Sequence, residues 1–366
     1  MKMIISRLEL VALIGKIQNL IPLKPAIPIL ANVLIEAIDD QFIISATDLT
    51  VSMRAYIEAK VLEEGSITLP ARRLFQLIRE LTPSQVEIHM ISPEIVTINA
   101  GSSHFKIQGM YKSEFPSFPD FSEGISFSIS STKLKELLSR SAFAAAHDDS
   151  RQELHGVLLH NTAQTATFIG TDGKRLAKIH STIDLPSDCA GSYIIPLKAV
   201  EEMIRMLDSK EEHPTKVILM PDKIALELKS MTLVSKLLSG QFPDVNRVIP
   251  EPKEQAISLH REELISLLRQ VSLFTSEDSS SVRFSFTTGE LHLSAAAGEI
   301  GEGKVNMPVN YAGEKLEIAF NPIYFLDILR HIKDETVKFN VSDSYNPGLI
   351  TDSTTAQFVL MPMRLE

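Results

Sequence analysis

Three groups of residues in this 366-residue chain have types and spacing that could do chemistry. Gly170-Thr171-Asp172-Gly173-Lys174-Arg175 has the glycines and lysine of a phosphate-cradling loop. It lacks the four-residue gap between the glycines and the Ser or Thr after the lysine. His147, Asp148, Asp149, Glu153 and His155 form the densest set of potential metal ligands. Their spacing fits neither a His-Glu-x-x-His helix nor a zinc pattern. No G-x-S-x-G nucleophile elbow occurs. The chain is therefore expected to be no enzyme, with no catalytic residue, no cofactor and no metal. The third group is the tail, Phe358 to Arg364, with Met361 and Met363. Such residues suit either an adaptable apolar cleft or the strand's own core, and their types alone leave both open.

The elements that carry these residues repeat. The apolar stripe Leu74, Leu77, Ile78, Leu81 marks one face of a helix. It returns 126 residues on as Val200, Met203, Ile204, Leu207, and 125 further as Phe325, Ile328, Leu329, Ile332. Arg79, Arg205 and Arg330 keep one register, roughly opposite the stripe. A second helix precedes each of these, starting near Ser6, Thr132 and Arg261, with Ser6 and Thr132 as N-caps. Ile125, Phe127 and Ile129 alternate with serines as a strand does. Shorter echoes keep the period: Asn32-Val33-Leu34-Ile35 with Gly156-Val157-Leu158-Leu159, Thr47-Asp48 with Thr171-Asp172, and Phe115-Pro116 with Phe242-Pro243. Proline-bearing stretches at 116–124 and 243–255 read as linkers. The expected fold is α+β, in three similar units at 1–122, 123–250 and 251–366. Each would pack two helices on sheets of roughly six to eight strands.

Composition narrows the class. A content of 44% hydrophobic and 22% charged residues is that of a globular chain. The single cysteine, Cys189, excludes an internal disulfide and fits a reducing cytosol. Arg7, Glu9 and Lys16 interrupt the apolar start, which reads as a strand and helix rather than a signal peptide. No uncharged apolar stretch is long enough to span a membrane. The net charge of -10 argues against a nucleic-acid partner. The six helical windows, however, hold fourteen Lys and Arg against nine Asp and Glu. That surplus of five leaves -15 on the rest. A basic helical surface with an acidic remainder could meet DNA on one side and repel it on the other.

At this point the chain resembles a known family. Phe358-Val359-Leu360-Met361-Pro362-Met363-Arg364-Leu365 is similar to the C-terminal signature of bacterial DNA polymerase III beta subunits, the sliding clamps. So are Thr171-Asp172-Gly173-Lys174-Arg175-Leu176-Ala177, Pro28-Ile29-Leu30-Ala31-Asn32, and Phe242-Pro243-Asp244 with Arg247-Val248-Ile249-Pro250. The resemblance implies three clamp domains per chain and a head-to-tail homodimer. It further implies a cytoplasmic ring that encircles duplex DNA irrespective of sequence and makes the polymerase processive. Twelve helices about 9 Å apart would line a hole of ~35 Å, wide enough for a duplex with water around it. Phosphate contacts there would be many, weak and screened.

Site residues follow from the same resemblance. A pocket for short peptides of the polymerase alpha subunit, clamp loader, other polymerases and repair proteins falls on Leu154, Thr171, Gly173, Lys174, Arg175, Leu176, Pro243, Arg247, Val248, Val359, Leu360, Met361, Pro362, Met363 and Arg364. Arg175, Arg247 and Arg364 would orient polar groups at its rim. Lys24 sits where the family has a basic residue in an early loop. Arg72, Arg73, Arg79, Lys133, Lys198, Arg205, Arg269 and Arg330 would join it in facing DNA. Phe105, Ile107, Leu273 and Phe274 would join the two subunits. Gln152 and Glu153 depart from a tyrosine pair found in some members, so no DNA role is assigned to them. Glu366 extends one residue past the usual end. A scaffold with the same pocket and no DNA partner is the alternative.

Overall fold

The computed structural model describes all residues except 184, 208–213, 253–255, 277–279, 299 and 365–366. Its elements follow one order three times. The first third runs β1 (Lys2–Ser6), α1 (Arg7–Ile17), β2 (Asn32–Ile38), β3 (Gln41–Thr47), β4 (Val51–Glu58), β5 (Lys60–Glu63), β6 (Gly65–Pro70), α2 (Ala71–Glu80), β7 (Gln85–Ser92), β8 (Ile95–Ala100), β9 (Ser103–Gln108). The middle third runs β10 (Ile125–Ser130), α3 (Ser131–Ala142), β11 (Gly156–Asn161), β12 (Thr165–Thr171), β13 (Arg175–Thr182), β14 (Gly191–Pro196), α4 (Leu197–Met206), β15 (Pro214–Leu219), β16 (Lys223–Leu228), β17 (Met231–Lys236). The last runs β18 (Ile257–His260), α5 (Arg261–Val271), β19 (Val282–Thr287), β20 (Glu290–Ala297), β21 (Gly301–Pro308), β22 (Leu316–Phe320), α6 (Pro322–His331), β23 (Thr336–Asn340), β24 (Gly348–Thr351), β25 (Gln357–Leu360). Apart from the extra β5, the three runs match.

Strand pairing groups these thirds into two compact units. Unit one holds the sheets β5-β1-β7-β8-β9 and β10-β15-β16-β17-β4-β3-β2-β6. Its longer sheet is closed by β17 on β4, where Met231–Ser235 pair antiparallel with Val51–Ala55. Unit two holds β14-β11-β12-β13-β25-β24-β23-β18 and β21-β20-β19-β22. Its longer sheet is closed by β13 on β25, with Arg175–Lys178 against Gln357–Leu360. The middle third thus gives β10 and β15–β17 to one unit and β11–β14 to the other.

The burial patterns explain the elements. β8 and β19 bury every second residue, as a half-covered sheet requires. β2 buries nearly every residue, because both of its faces are covered. α2 buries Ala71, Leu74 and Ile78, and α6 buries Phe325, Ile328 and Leu329. Each full side chain of this kind stabilises by about 1.5–3 kcal/mol. In the last third Phe284, Phe320, Phe325 and Phe339 form one aromatic core.

Two helix starts correct the expectation. Ser6 holds the N-cap position of α1 but makes no side-chain cap bond. Thr132 lies inside α3, which begins at Ser131; the Ser131 hydroxyl instead meets Thr215 at 2.7 Å. Among the described residues His260 and Asn321 do cap α5 and α6: His260 Nδ1 accepts from the Glu263 N–H, and Asn321 Oδ1 accepts from the Ile323 and Tyr324 N–H groups around Pro322.

Candidate functional site

The Thr171-Asp172 pair builds a tight turn between β12 and β13. Thr171 Oγ1 donates to the Arg175 carbonyl at 2.6 Å and accepts from the Gly173 N–H at 3.1 Å. Asp172 Oδ1 accepts from the N–H groups of Lys174 and Arg175, both at 2.9 Å. Gly173 has φ +82°, a left-handed conformation that suits glycine. Past the turn the Lys174 carbonyl accepts from the Met361 N–H at 2.9 Å, which carries the tail beyond β25 alongside the turn.

Beside this turn opens a cavity of about 190 Å³ lined by Arg151, Leu154, Thr171, Gly173, Arg175, Leu176, Pro243, Asp244, Val245, Val248, Val359 and Met361. Its floor is the buried cluster of Leu158, Ile169, Leu176, Val245, Leu349 and Val359. Val248 and Met361 are apolar yet exposed at the rim. Pockets for drug-sized ligands run to roughly 300–1,000 Å³, so this smaller cleft has room for one or two apolar side chains.

The arginines behave differently from one another. Arg175 is only 9% exposed. Its Nε donates to Asp172 at 3.1 Å and a terminal nitrogen donates to Asp327 at 2.7 Å. Its guanidinium lies 4.6 Å from the Tyr324 ring centroid. It is a wall element and not a free rim donor, which corrects the expectation. Arg247 is exposed and paired with Asp244 at 3.1 Å. Arg151, which the sequence reading left out of the pocket, lies on its wall. Its guanidinium donates to both oxygens of Asp149, and these hydrogen bonds, with one from the Arg151 backbone N–H, hold the Asp149 carboxyl well below the usual carboxylate range. The same loop has His155 Nε2 accepting from the Asp149 N–H. Among the described residues no three His, Cys, Asp or Glu side chains are grouped to hold a metal.

Nine of the fifteen pocket residues named from sequence therefore line this one cleft: Leu154, Thr171, Gly173, Arg175, Leu176, Pro243, Val248, Val359 and Met361. Lys174, Arg247, Leu360, Pro362, Met363 and Arg364 do not. Leu360 points to the opposite, fully buried side of β25, as period-two alternation dictates. Met363 is not among the lining residues; its N–H donates to the Ala319 carbonyl at 2.7 Å, adding the tail to β22. Leu365 and Glu366 lie outside the described residues. Asp244 and Val245 were missed as well, although the Phe242-Pro243 echo pointed to their segment.

The basic residues divide likewise. Lys24, Arg72, Arg73 and Arg269 are exposed and have no ion pair among the described residues. Lys133 is half-buried. Arg79, Arg205 and Arg330 are exposed in the last turns of α2, α4 and α6, each beside an acid: Glu80, Glu201 with Glu202, and Asp327. Lys198 pairs with Asp48. Arg140, counted above with the basic faces, is 4% exposed and bound to Asp352 and Glu136. It is core and adds nothing to a basic surface.

Of the four contact residues, Phe105 lies on β9, the edge strand of its sheet, and is 40% exposed. Ile107 on the same strand is 5% exposed and belongs to the sheet's core, so Phe105 alone presents apolar surface there. Leu273 is 73% exposed. Phe274 lies over β21, another edge strand, where a Cβ at Gly303 would strike its ring. No helix among the described residues is long and apolar enough to cross a membrane.

Comparison with known proteins covers the whole chain. Family models for the DNA polymerase III beta subunit match as N-terminal domain at 1–119, central domain at 128–244 and C-terminal domain at 246–364. The beta sliding clamp of Chlamydia muridarum is 53% identical over 365 residues, covering 100% of this chain and 99% of that one. That of Pseudomonas aeruginosa is 31% identical, covering 99% of each. Among solved structures, a Pseudomonas aeruginosa DNA polymerase sliding clamp with ligand superposes with a TM-score of 0.94 at 30% identity. A Bartonella birtlesii sliding clamp bound to griselimycin does so with 0.96 at 29%. Both structural matches cover 100% of each chain.

Proposed function

The chain belongs to the DNA polymerase III beta subunit family, and we propose that two copies close head to tail into a ring around duplex DNA. It is a sliding clamp, a processivity subunit of the replicative polymerase and not itself a catalyst. In this reading residues 1–122, 123–250 and 251–366 are its three clamp domains, and it works in the bacterial cytoplasm, where the chromosome is. The observation that carries the reading is the threefold order of elements, with an exposed arginine closing α2, α4 and α6 each time. The exposed partners Glu80 and Glu201 contribute about 0–1 kcal/mol each, so passing phosphates can exchange with them, whereas Glu202 is buried and Asp327 half-buried. Weak, exchangeable contacts of that kind retain DNA without fixing it in place.

Ring closure would join Phe105 on the β9 edge to Leu273 and Phe274 beside the β21 edge of the second copy. The exposed Phe105 on one sheet edge and the exposed Leu273 beside another favour such a pairing. The cleft of about 190 Å³ would take the apolar anchors of short peptides from the polymerase alpha subunit, the clamp loader and repair proteins. Each Leu or Phe anchor buried there would contribute about 1.5–3 kcal/mol.

Loading onto a nicked circular plasmid tests this. The dimer should stay on the circle through a gel-filtration column and leave once the plasmid is linearised. The Leu273→Ala/Phe274→Ala variant should fail to stay even on the circle. Retention on neither DNA would leave only the peptide-binding scaffold, and equal retention on circle and linear DNA would overturn the ring.

A further inference from the structure

The repeat also sets a second copy of the cleft into unit one. Thr47 and Asp48 form the same turn as Thr171 and Asp172. Thr47 Oγ1 donates to the Val51 carbonyl at 3.0 Å and accepts from the Leu49 N–H at 3.0 Å. Asp48 Oδ1 accepts from Thr50 and Val51 N–H at 2.9 and 2.7 Å. The Thr50 carbonyl accepts from the Lys236 N–H at 2.9 Å, as Lys174 does from Met361. With the turns superposed, Leu34 takes the place of Leu158, Val234 that of Val359, and β17 that of β25. The framework of a cleft is present twice.

Yet the space beside the first turn is only about 10 Å³, against about 190 Å³ beside the second. The difference lies in the connector that follows each Phe-Pro pair. After Phe242-Pro243 it presents Val245 and Val248; after Phe115-Pro116 the same positions are Phe118 and Phe121. These two rings meet edge to face, centroids 6.5 Å apart, over the cluster of Ile218, Ala225 and Val234. Arg54 caps the arrangement, its guanidinium 4.3 Å from the Phe118 ring centroid and its Nε donating to Ser45 at 3.2 Å.

We infer that Phe118 and Phe121 are built-in ligands, filling in unit one the cleft that unit two leaves open, so that each chain offers one peptide site rather than two. The connector supplies two adjacent aromatic anchors to an apolar floor, which is what an incoming peptide would supply to unit two. The inference rests on reading the open cleft as a peptide site.

Calorimetric titration of the full-length chain with a synthetic peptide carrying adjacent leucine and phenylalanine anchors tests it. The parent should bind one peptide per chain. Phe118→Val/Phe121→Val, which copies the valines of the open cleft, should bind two, the second at least tenfold weaker. A stoichiometry that stays at one in the folded variant overturns the inference. A parent that binds no peptide overturns the reading of the open cleft instead. Should the double variant not fold, Phe118→Leu with a photoreactive form of the peptide decides. New crosslinks mapped to Leu34, Thr47 or Ser52 support the built-in ligand, and crosslinks confined to unit two overturn it.

Discussion

The turns at Thr47–Val51 and Thr171–Arg175 have the same hydrogen bonds and opposite surroundings. The first is sealed under aromatic rings; the second borders an open apolar cleft. The backbone frame is held by a threonine hydroxyl and an aspartate oxygen, and those two residues suffice to reproduce it 124 residues apart. Side-chain volume on a neighbouring connector then decides whether the frame is core or site. A repeat can thus carry three similar folds and one opening.

The largest expected effect comes from exchanging the plug. Val245→Phe/Val248→Phe should close the open cleft and weaken the leucine-phenylalanine peptide at least 100-fold by fluorescence anisotropy, with thermal unfolding unchanged or raised. Unaltered affinity would separate connector volume from cleft opening and break the comparison.

A smaller effect should separate the two turns themselves. The left-handed position is Gly173 in one and Leu49, at φ +75°, in the other. A side chain in that conformation costs about 1–2 kcal/mol. Gly173→Ala should lower the unfolding free energy by about 1 kcal/mol and disturb Arg151, whose guanidinium a Cβ would approach. Leu49→Gly should raise it by about 0.5 kcal/mol, the relief being partly offset by the freedom glycine has when unfolded. Urea denaturation of both variants measures the contrast.

The smallest effect is confined to unit two. His331 stacks on Phe143 with centroids 4.1 Å apart, and its Nδ1 lies 2.7 Å from the Asp327 carbonyl; the corresponding position in α4 is Met206. Burial holds the His331 imidazole below its ordinary value of 6.5, outweighing the Asp327 carbonyl. The unfolded chain therefore takes up this proton first. Nothing is lost above pH about 6.5, and stability falls as pH drops from there toward the folded value. His331→Met should flatten that part of the urea-midpoint curve between pH 7 and 5, measured at about half-unit steps.

Much of this architecture could be read from the residues, because helical stripes and alternating strands record burial directly. The stripes at Leu74, Val200 and Phe325 mark α2, α4 and α6, and the Thr-Asp echo marks both turns. What periodicity does not record is the distant partner. Arg140 reads as a surface cation until Asp352, 212 residues away, is folded against it. Arg175 likewise reads as a free donor, because Asp327 comes from another third of the chain. Met361 and Met363 look equivalent in the tail, but the first is tied to the Lys174 carbonyl and the second to that of Ala319. The cap at Asn321 was legible, since Asn before Pro is a helix-start signal, whereas the one at His260 uses a residue type that the usual preferences do not name.

The splicing of the middle third into two sheets bears on how such a chain could be divided. A piece ending at residue 122 would leave β4 without β17, baring a row of amides and carbonyls along an apolar strand. A piece beginning at 251 would do the same to β25. Fragments cut at the repeat boundaries should therefore cling to one another or precipitate. The thirds share one pattern, but none of them is a self-sufficient lodger in the fold.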